Sequence, residues 1–160
     1  MILVLLGTFV TDFKRPLIEI EKLCADGTIS EEVFVQAGYT TITDSEHIII
    51  KPFIEPDELT ELHNKARIII THAGVGSIMK ALFLKKKVIA IARLSKYDEH
   101  VDDHQVEVLE EFARLNYLMP WRENDSLKTL LANADDFNQR EFISNNSQMI
   151  SYLTKYIDSL

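Results

Sequence analysis

Only one cysteine, Cys24, occurs among the 160 residues, so no internal disulfide can staple the fold. A lone thiol in an amphipathic segment reads as a buried side chain of a reducing cytoplasm. Basic residues are in deficit: 17 Lys and Arg stand against 25 Asp and Glu, a formal net charge of −8. General affinity for phosphate backbones or anionic membranes starts from clustered Lys and Arg, so nucleic acid is not expected as a partner. No apolar run approaches the ~20 residues of a membrane span. The apolar start, Met1 to Leu6, lacks a basic flank and reaches Gly7, Thr8 and Asp12 too soon for a secretion signal, and reads as a first strand. No internal repeat and no low-complexity tract accompany the five glycines and four prolines. What remains is one domain, of a length that buries roughly 70% of its unfolded surface.

Short, nearly continuous β-branched and apolar runs recur at Ile2 to Leu6, Val33 to Gln36, His47 to Ile50, Arg67 to Thr71, Val88 to Ala92 and Tyr117 to Trp121. Runs too short for a helix and apolar throughout are the mark of strands covered on both faces. Segments of helical period lie between them: Leu17 to Cys24, Pro56 to Ala66 with proline in a first turn, Ser77 to Leu84, and Asp103 to Leu115. The alternation predicts a doubly wound α/β domain with a mainly parallel sheet of about six strands, whose ligands bind beyond the carboxyl ends of the strands. Residues 1–132 form this domain. Residues 133–160 form a polar connector, with at most a short helix, and a terminal amphipathic helix striped by Met149, Ile150, Leu153, Tyr156, Ile157 and Leu160. That helix either packs on its own sheet or docks another chain.

The strongest local signal is Thr71-His72-Ala73-Gly74-Val75-Gly76-Ser77, directly after a strand and directly before a helix. Glycines there let the backbone approach a ligand, and free N–H groups at the helix start suit an anion such as a diphosphate, with Ser77 adding a hydroxyl. The third glycine of a dinucleotide fingerprint and the Gly-Lys-Ser/Thr of a P-loop are both missing, so a purely structural turn stays open. A second small-residue turn, Leu6-Gly7-Thr8, follows the first strand at the same sheet edge. A polar connector runs from Arg93 to Gln105 after the fifth strand, long enough to suggest function. Within it His100 and His104 are four apart, a spacing open to a metal. The alternative is that Asp102 and Asp103 cap the helix opening at Gln105 and the polar side chains bond hydroxyls. Nothing resembles a nucleophile elbow at Ser77, and Cys24 lacks an activating context.

Taken in order, Leu-Gly-Thr after the first strand, Thr-His-Ala-Gly-x-Gly-Ser after the fourth and Arg-Leu-x-Lys-Tyr-x-Glu-His-Val-Asp-Asp-His-Gln after the fifth resemble the C-terminal, donor-binding half of GT-B glycosyltransferases of the kind that builds lipid II. Over approximately Met1 to Trp121 the chain is most similar to the short stand-alone version. That version is the soluble subunit of the split N-acetylglucosaminyltransferase of dolichol-linked oligosaccharide synthesis, with bacterial counterparts in capsule and exopolysaccharide assembly. The resemblance implies a Rossmann-like half of a GT-B fold and a donor site for a UDP-sugar, with no cofactor and no metal. By it, Gly7, Thr8, His72, Gly74, Val75, Gly76 and Ser77 surround the diphosphate, Phe53 and Ile54 receive the uracil, and Arg93, Asp103, His104 and Gln105 read the sugar hydroxyls. From the residues alone, Phe53 and Ile54 read equally well as core at a strand end.

Two departures stand out. Lys80 occupies the place where the family has a ribose-binding Glu; an ammonium only donates, so the ribose is held differently, the donor differs, or binding is weaker, unless Lys80 is a plain solvated helix residue. Lys85-Lys86-Lys87 replaces a family Leu-Gly-Lys-Pro stretch, and reads as a solvated helix end or as an attractor of phosphate or membrane. The resulting expectation is the donor-binding and catalytic subunit of an inverting glycosyltransferase moving a hexose or N-acetylhexosamine from a UDP-sugar to a lipid-linked acceptor. It would work at the cytoplasmic face of a membrane through a membrane-anchored, acceptor-binding subunit, which supplies the base unless His72 or His100 does. The isolated chain has an exposed dock and a homodimer is plausible. The competing expectation is a non-catalytic nucleotide-sugar-binding or scaffolding subunit.

Overall fold

Strand and helix alternate as the periodicity predicts, except that among the described residues the second and third strands follow one another without a helix and the last two helices without a strand. The computed structural model describes residues 1–41 and 45–159. The elements are β1 (Ile2–Leu5), α1 (Lys14–Ala25), β2 (Val33–Gln36), β3 (Ile49–Lys51), α2 (Pro56–Lys65), β4 (Ile68–His72), α3 (Val75–Phe83), β5 (Lys87–Ile91), α4 (His104–Arg114), β6 (Met119–Pro120), α5 (Leu127–Asn133) and α6 (Asn146–Asp158). A single 3₁₀ turn at Ser95–Tyr97 lies between β5 and α4. The strands form one sheet in the order β3-β2-β1-β4-β5-β6, and every pairing is parallel. The chain therefore starts in the middle, winds outward one way, and returns from β3 to β4 beside β1. The crevice opens there, at the carboxyl ends of β1 and β4.

Continuous apolar strands suit a sheet that is covered on both sides, because the pleat sends successive residues to opposite faces. Ile2, Val4 and Leu6 join Ile68, Ile70, Ile89 and Ile91 under α1 and α5, whose Leu17, Ile20, Leu23 and Leu127 close that layer. Leu3 and Leu5 join Ile69, Val88 and Ala90 on the other side, under Leu62, Ile78, Ala81, Leu82 and Leu109 of α2, α3 and α4. Each fully buried Leu or Ile contributes about 1.5–3 kcal/mol.

Some boundaries differ from the sequence expectation. The run Tyr117 to Trp121 pairs over only two residues, Met119 with Ile89 and Pro120 with Ala90. Helix α5 escapes the periodicity because it has only seven residues; Ser126 caps it, accepting from the Thr129 N–H. The connector is tied down: the Gln139 amide accepts from Val88 N and donates to Lys86 O, and Phe142 meets Phe83 and Tyr117 edge-on. The three lysines are not a free cationic patch. Lys85 pairs with Glu141, Lys86 donates to the Asn64 and Ala66 carbonyls at the end of α2, and Lys87 donates to the Phe137 carbonyl.

The terminal helix does not pack on its own sheet. No residue of α6 is buried, and Met149, Ile150, Leu153, Tyr156 and Ile157 are between 48% and 64% exposed. Leu160, the last of the stripe, lies outside the described residues.

Candidate functional site

Beyond the carboxyl edge of the sheet lies a cleft of about 480 Å³. It is lined by Gly7, Thr8 and Phe9 of the turn after β1, Gln36 at the end of β2, Leu59 and His63 of α2, His72 at the end of β4, Gly76, Ser77 and Lys80 of α3, and His100 and Gln105 of the stretch after β5. The motifs after β1, β4 and β5, far apart in sequence, thus meet around one space.

The first turn of α3 faces that space without a cap. Gly74 is the extended residue before the helix, and no side chain bonds the helix start, so the N–H groups of Val75, Gly76 and Ser77 have no intrahelical acceptor. Their partial positive charge suits an anion. A Cβ on Gly76 would meet nothing within 4 Å. The other two glycines also make room for the imidazole: a Cβ on Gly74 would stand 2.1 Å from the His72 ring, and one on Gly7, which itself lines the cleft, would stand 2.8 Å from it.

His72 sits between the two turns, with Nε2 3.4 Å from Ser77 Oγ and Nδ1 buried without a partner. Burial first, and then the Arg93 guanidinium, push its pKa down to about 4, against the opposing pull of the Gln105 side chain. The ring is therefore neutral at pH 7. The unfolded chain takes up a proton at this residue near 6.5 while the folded ring resists to about 4. The stability tied to the neutral ring is thus complete above pH 6.5 and lost progressively as pH falls to about 4. At 1.36 kcal/mol for each pH decade the loss amounts to about 3 kcal/mol. Melting curves from pH 7.5 to 4.5 should show this slope in the wild type and a shallower one in His72→Asn; identical slopes would assign the acid sensitivity elsewhere.

The structure does not bring all the expected site residues together. Gln105 reaches the cleft, half of its amide engaged: Oε1 accepts from Arg93 N. Asp103 stands just before α4 and does not cap it; its carboxylate accepts from Ser95 N, while Asp102 takes the His104 N–H. His104 is exposed beside Glu107 at 3.5 Å. Phe53 is exposed and meets Tyr39 edge-on, whereas Ile54 is core, buried in the layer under α2 and α3. Among the described residues no group of three or more His, Cys, Asp or Glu side chains is placed to hold a metal ion.

Arg93 requires a correction. It is completely buried and does not line the cleft. Its guanidinium donates to the Leu6, Thr11 and Glu99 carbonyls and to Thr11 Oγ1 and lies over the Phe13 ring at 4.7 Å. Glu99, also buried, is clamped by Arg15 through two 2.7 Å bonds and accepts from Leu94 N. This network ties the β5–α4 connector to the turn after β1, so Arg93 shapes the cleft from behind. Phe9, Gln36, Leu59 and His63 went unnoticed in the sequence. Only Gln36, a polar residue ending an apolar strand, carried a local signal.

Residues 4–158 match the glycosyltransferase family 28 C-terminal domain. The chain is 33% identical to the UDP-N-acetylglucosamine transferase subunit ALG13 of Candida albicans over 84 residues, 52% of this chain and 27% of the relative. It is 25% identical to the protein of the same name from Candida glabrata over 113 residues, 70% of this chain and 53% of the relative. The chain thus spans about a quarter to about half the length of these relatives. A solution structure of ALG13 superposes with a TM-score of 0.59 at 17% identity, covering 95% of this chain and 94% of that one. The glycosyltransferase SnogD from Streptomyces nogalater superposes with a TM-score of 0.60 at 15% identity, covering 86% of this chain and 35% of that one. Identities this low speak for the shared GT-B half alone. The sequence match runs from the first strand into the last helix, across a sheet wound as in those enzymes, and on that ground this chain belongs to the glycosyltransferase family 28 C-terminal domain family.

Proposed function

We propose that the chain is the donor-binding subunit of an inverting glycosyltransferase that moves N-acetylglucosamine, or a related hexose, from its UDP derivative to a lipid-linked sugar. The observation that carries the reading is the uncapped start of α3 opening on the cleft beside Gly7 and Thr8, with Gly76 leaving the amides accessible. The names of the Candida relatives support the choice of donor.

In this reading the diphosphate lies against the α3 amides and the Ser77 hydroxyl, which stabilise charge as UDP departs. Neutral His72 contributes a hydrogen bond without a counter-charge, and Gln105 orients the sugar for attack. The cleft is open, and the acceptor and the base are assigned to a second, membrane-anchored subunit. The unburied apolar stripe of α6 is the dock for that subunit, a patch of the kind that marks interaction sites. The site would work at the cytoplasmic face of the membrane, with the UDP-sugar as substrate and no metal.

The test is calorimetric titration with UDP and UDP-N-acetylglucosamine, followed by Gly76→Ala. A methyl group there meets nothing outside its own helix turn within 4 Å and adds helix propensity of up to about 1 kcal/mol, but Gly76 lines the cleft, so the methyl takes up space beside the amides. Unchanged or raised stability with at least about tenfold weaker UDP binding is expected. Equal affinity in the two proteins would place the diphosphate elsewhere. With the membrane subunit co-expressed, Ser77→Ala and Gln105→Ala should each depress sugar transfer; unchanged transfer in both would sink the site assignment.

A further inference from the structure

The chain is acidic, with a formal net charge of −8, yet among the described residues no carboxylate lines the cleft. Its ionisable side chains are His63, His72, His100 and Lys80. Imidazoles can take positive charge from solvent near neutral pH when an anion makes it favourable. Of the three, His72 stands at the anion-binding turn: Nε2 is 3.4 Å from Ser77 Oγ, in the first turn of α3, and the ring fills the space that Gly7 and Gly74 leave. A phosphate oxygen held by that turn and the Ser77 hydroxyl therefore comes within reach of Nε2. In the free chain the ring is neutral. Burial and the Arg93 guanidinium at the end of β5 oppose a proton, His100 of the connector adds to them, and only the Gln105 side chain of α4 favours one. The turn after β1 and the start of α3 face the ring with Gly7, Thr8, Val75 and Gly76, none of them ionisable, while Lys80 of α3 and His63 of α2 line the same cleft. Every charge acting on the ring is thus basic, and the first negative charge it meets is the ligand's.

That charge grows during transfer. When the bond between the sugar carbon and its phosphate oxygen breaks, the electron pair stays on the phosphate, and UDP carries a negative charge that its sugar ester lacks. We propose that His72, neutral while the UDP-sugar is bound, takes up a proton from solvent as UDP forms, so that a charged Nε2–H faces the departing phosphate. The proton of the acceptor hydroxyl goes to the base and is not the one that His72 gains. His72 is then a catalytic residue whose charge follows the reaction, adding little to substrate binding and more to the leaving group. The inference rests on the UDP-sugar reading of the same cleft and adds a protonation step to it. An opposite charge within about 4–6 Å favours a charged form by about tenfold to a thousandfold. For a free ring that titrates at about 4, this charges an appreciable share of the rings near pH 6 and few above pH 8.

The experiment is calorimetry of UDP and of UDP-N-acetylglucosamine on the full chain, wild type and His72→Asn, between about pH 8 and pH 6, in buffers of different ionisation enthalpy. Free UDP has a terminal phosphate that itself titrates near 6, equally for both proteins, so the difference between them reports the ring. On lowering the pH, UDP binding by the wild type should strengthen by about two- to tenfold relative to His72→Asn, with a matching excess of protons taken up per UDP bound. The gain for UDP-N-acetylglucosamine should be smaller. Independently of any variant, the ¹⁵N resonances of the His72 ring, followed against pH, should titrate at higher pH with UDP bound than in the free chain. An equal pH dependence in the two proteins, an equal gain for the two ligands, or a ring titration that UDP does not move overturns this inference alone. Absence of UDP binding by the wild type overturns the donor-site reading and this inference with it.

Discussion

Gly38→Ala is expected to remove a large share of the protein's stability, about 3–5 kcal/mol of the 5–15 typical of a domain. Gly38 lies in the turn after β2 with φ +60°, and a Cβ there would stand 2.0 Å from the Gly7 carbonyl oxygen. That oxygen is backbone and cannot swing aside. Gly7 is itself held at φ +84° with the His72 ring against it, and Gly38 is anchored from the other side by its N–H bond to Pro52 O at 2.7 Å. Relief would have to displace the Gly7–Thr8 turn, which is the floor of the cleft, so any folded remainder should also bind nucleotide poorly. Gly27→Ala is the control. Gly27 has φ +76°, but a methyl added there would meet nothing within 4 Å, so only the left-handed strain of about 1–2 kcal/mol applies. Urea denaturation of the two variants separates the effects; equal losses would mean that close approach to Gly7 is not what requires glycine at 38.

Arg93→Met should cost about 3–5 kcal/mol, although it replaces a buried charge with an apolar side chain of similar length. Exchanging a whole buried charged network for apolar residues is often harmless, but removing one member leaves the others stranded. Here the Leu6 and Thr11 carbonyls would each lose the guanidinium donor, while the Glu99 carbonyl would keep only Thr11 Oγ1, and a buried unsatisfied carbonyl costs about 1–3 kcal/mol. The carboxylate of Glu99 would keep Arg15 at 2.7 Å but lose the positive field of Arg93. Because the network joins the β1 turn to the β5–α4 connector, the loss should spread to the cleft and move the amide resonances of Thr8 and Gln105 together. Wild-type stability in Arg93→Met, measured by thermal and urea melts, would show that the carbonyls find other donors and that the network does not hold the connector.

Much of the scaffold was legible in the sequence because it rests on local rules. Apolar runs of strand length separated by helical period specify a covered parallel sheet, and the ends of all six expected strands agree with the structure to within one or two residues. The turn at Gly74 to Ser77 was legible as well, since a glycine-rich strand-to-helix junction has a local cause. The terminal helix was legible as a helix, but its period says nothing about what covers its apolar face. Arg93 shows the limit most plainly. A basic residue in a polar connector reads as a ligand contact, and only the convergence of Leu6 and Thr11 with Glu99 turns it into a buried strut.

By itself the sequence determined the alternating α/β pattern, the chain's acidic balance, the chemistry available at three strand ends, and the motifs that mark the glycosyltransferase relationship. Tertiary structure alone decided which of those groups share a space. It turned Gly7 and Gly74 toward a histidine and left Gly76 toward the cleft. It buried Arg93 and brought His63 of α2 and the start of α3 to the lining of one cleft. The reason is physical: periodicity and turn preference act over a few neighbouring residues, whereas burial, hydrogen-bond satisfaction and pKa depend on groups far away in the chain that the sheet order β3-β2-β1-β4-β5-β6 brings side by side.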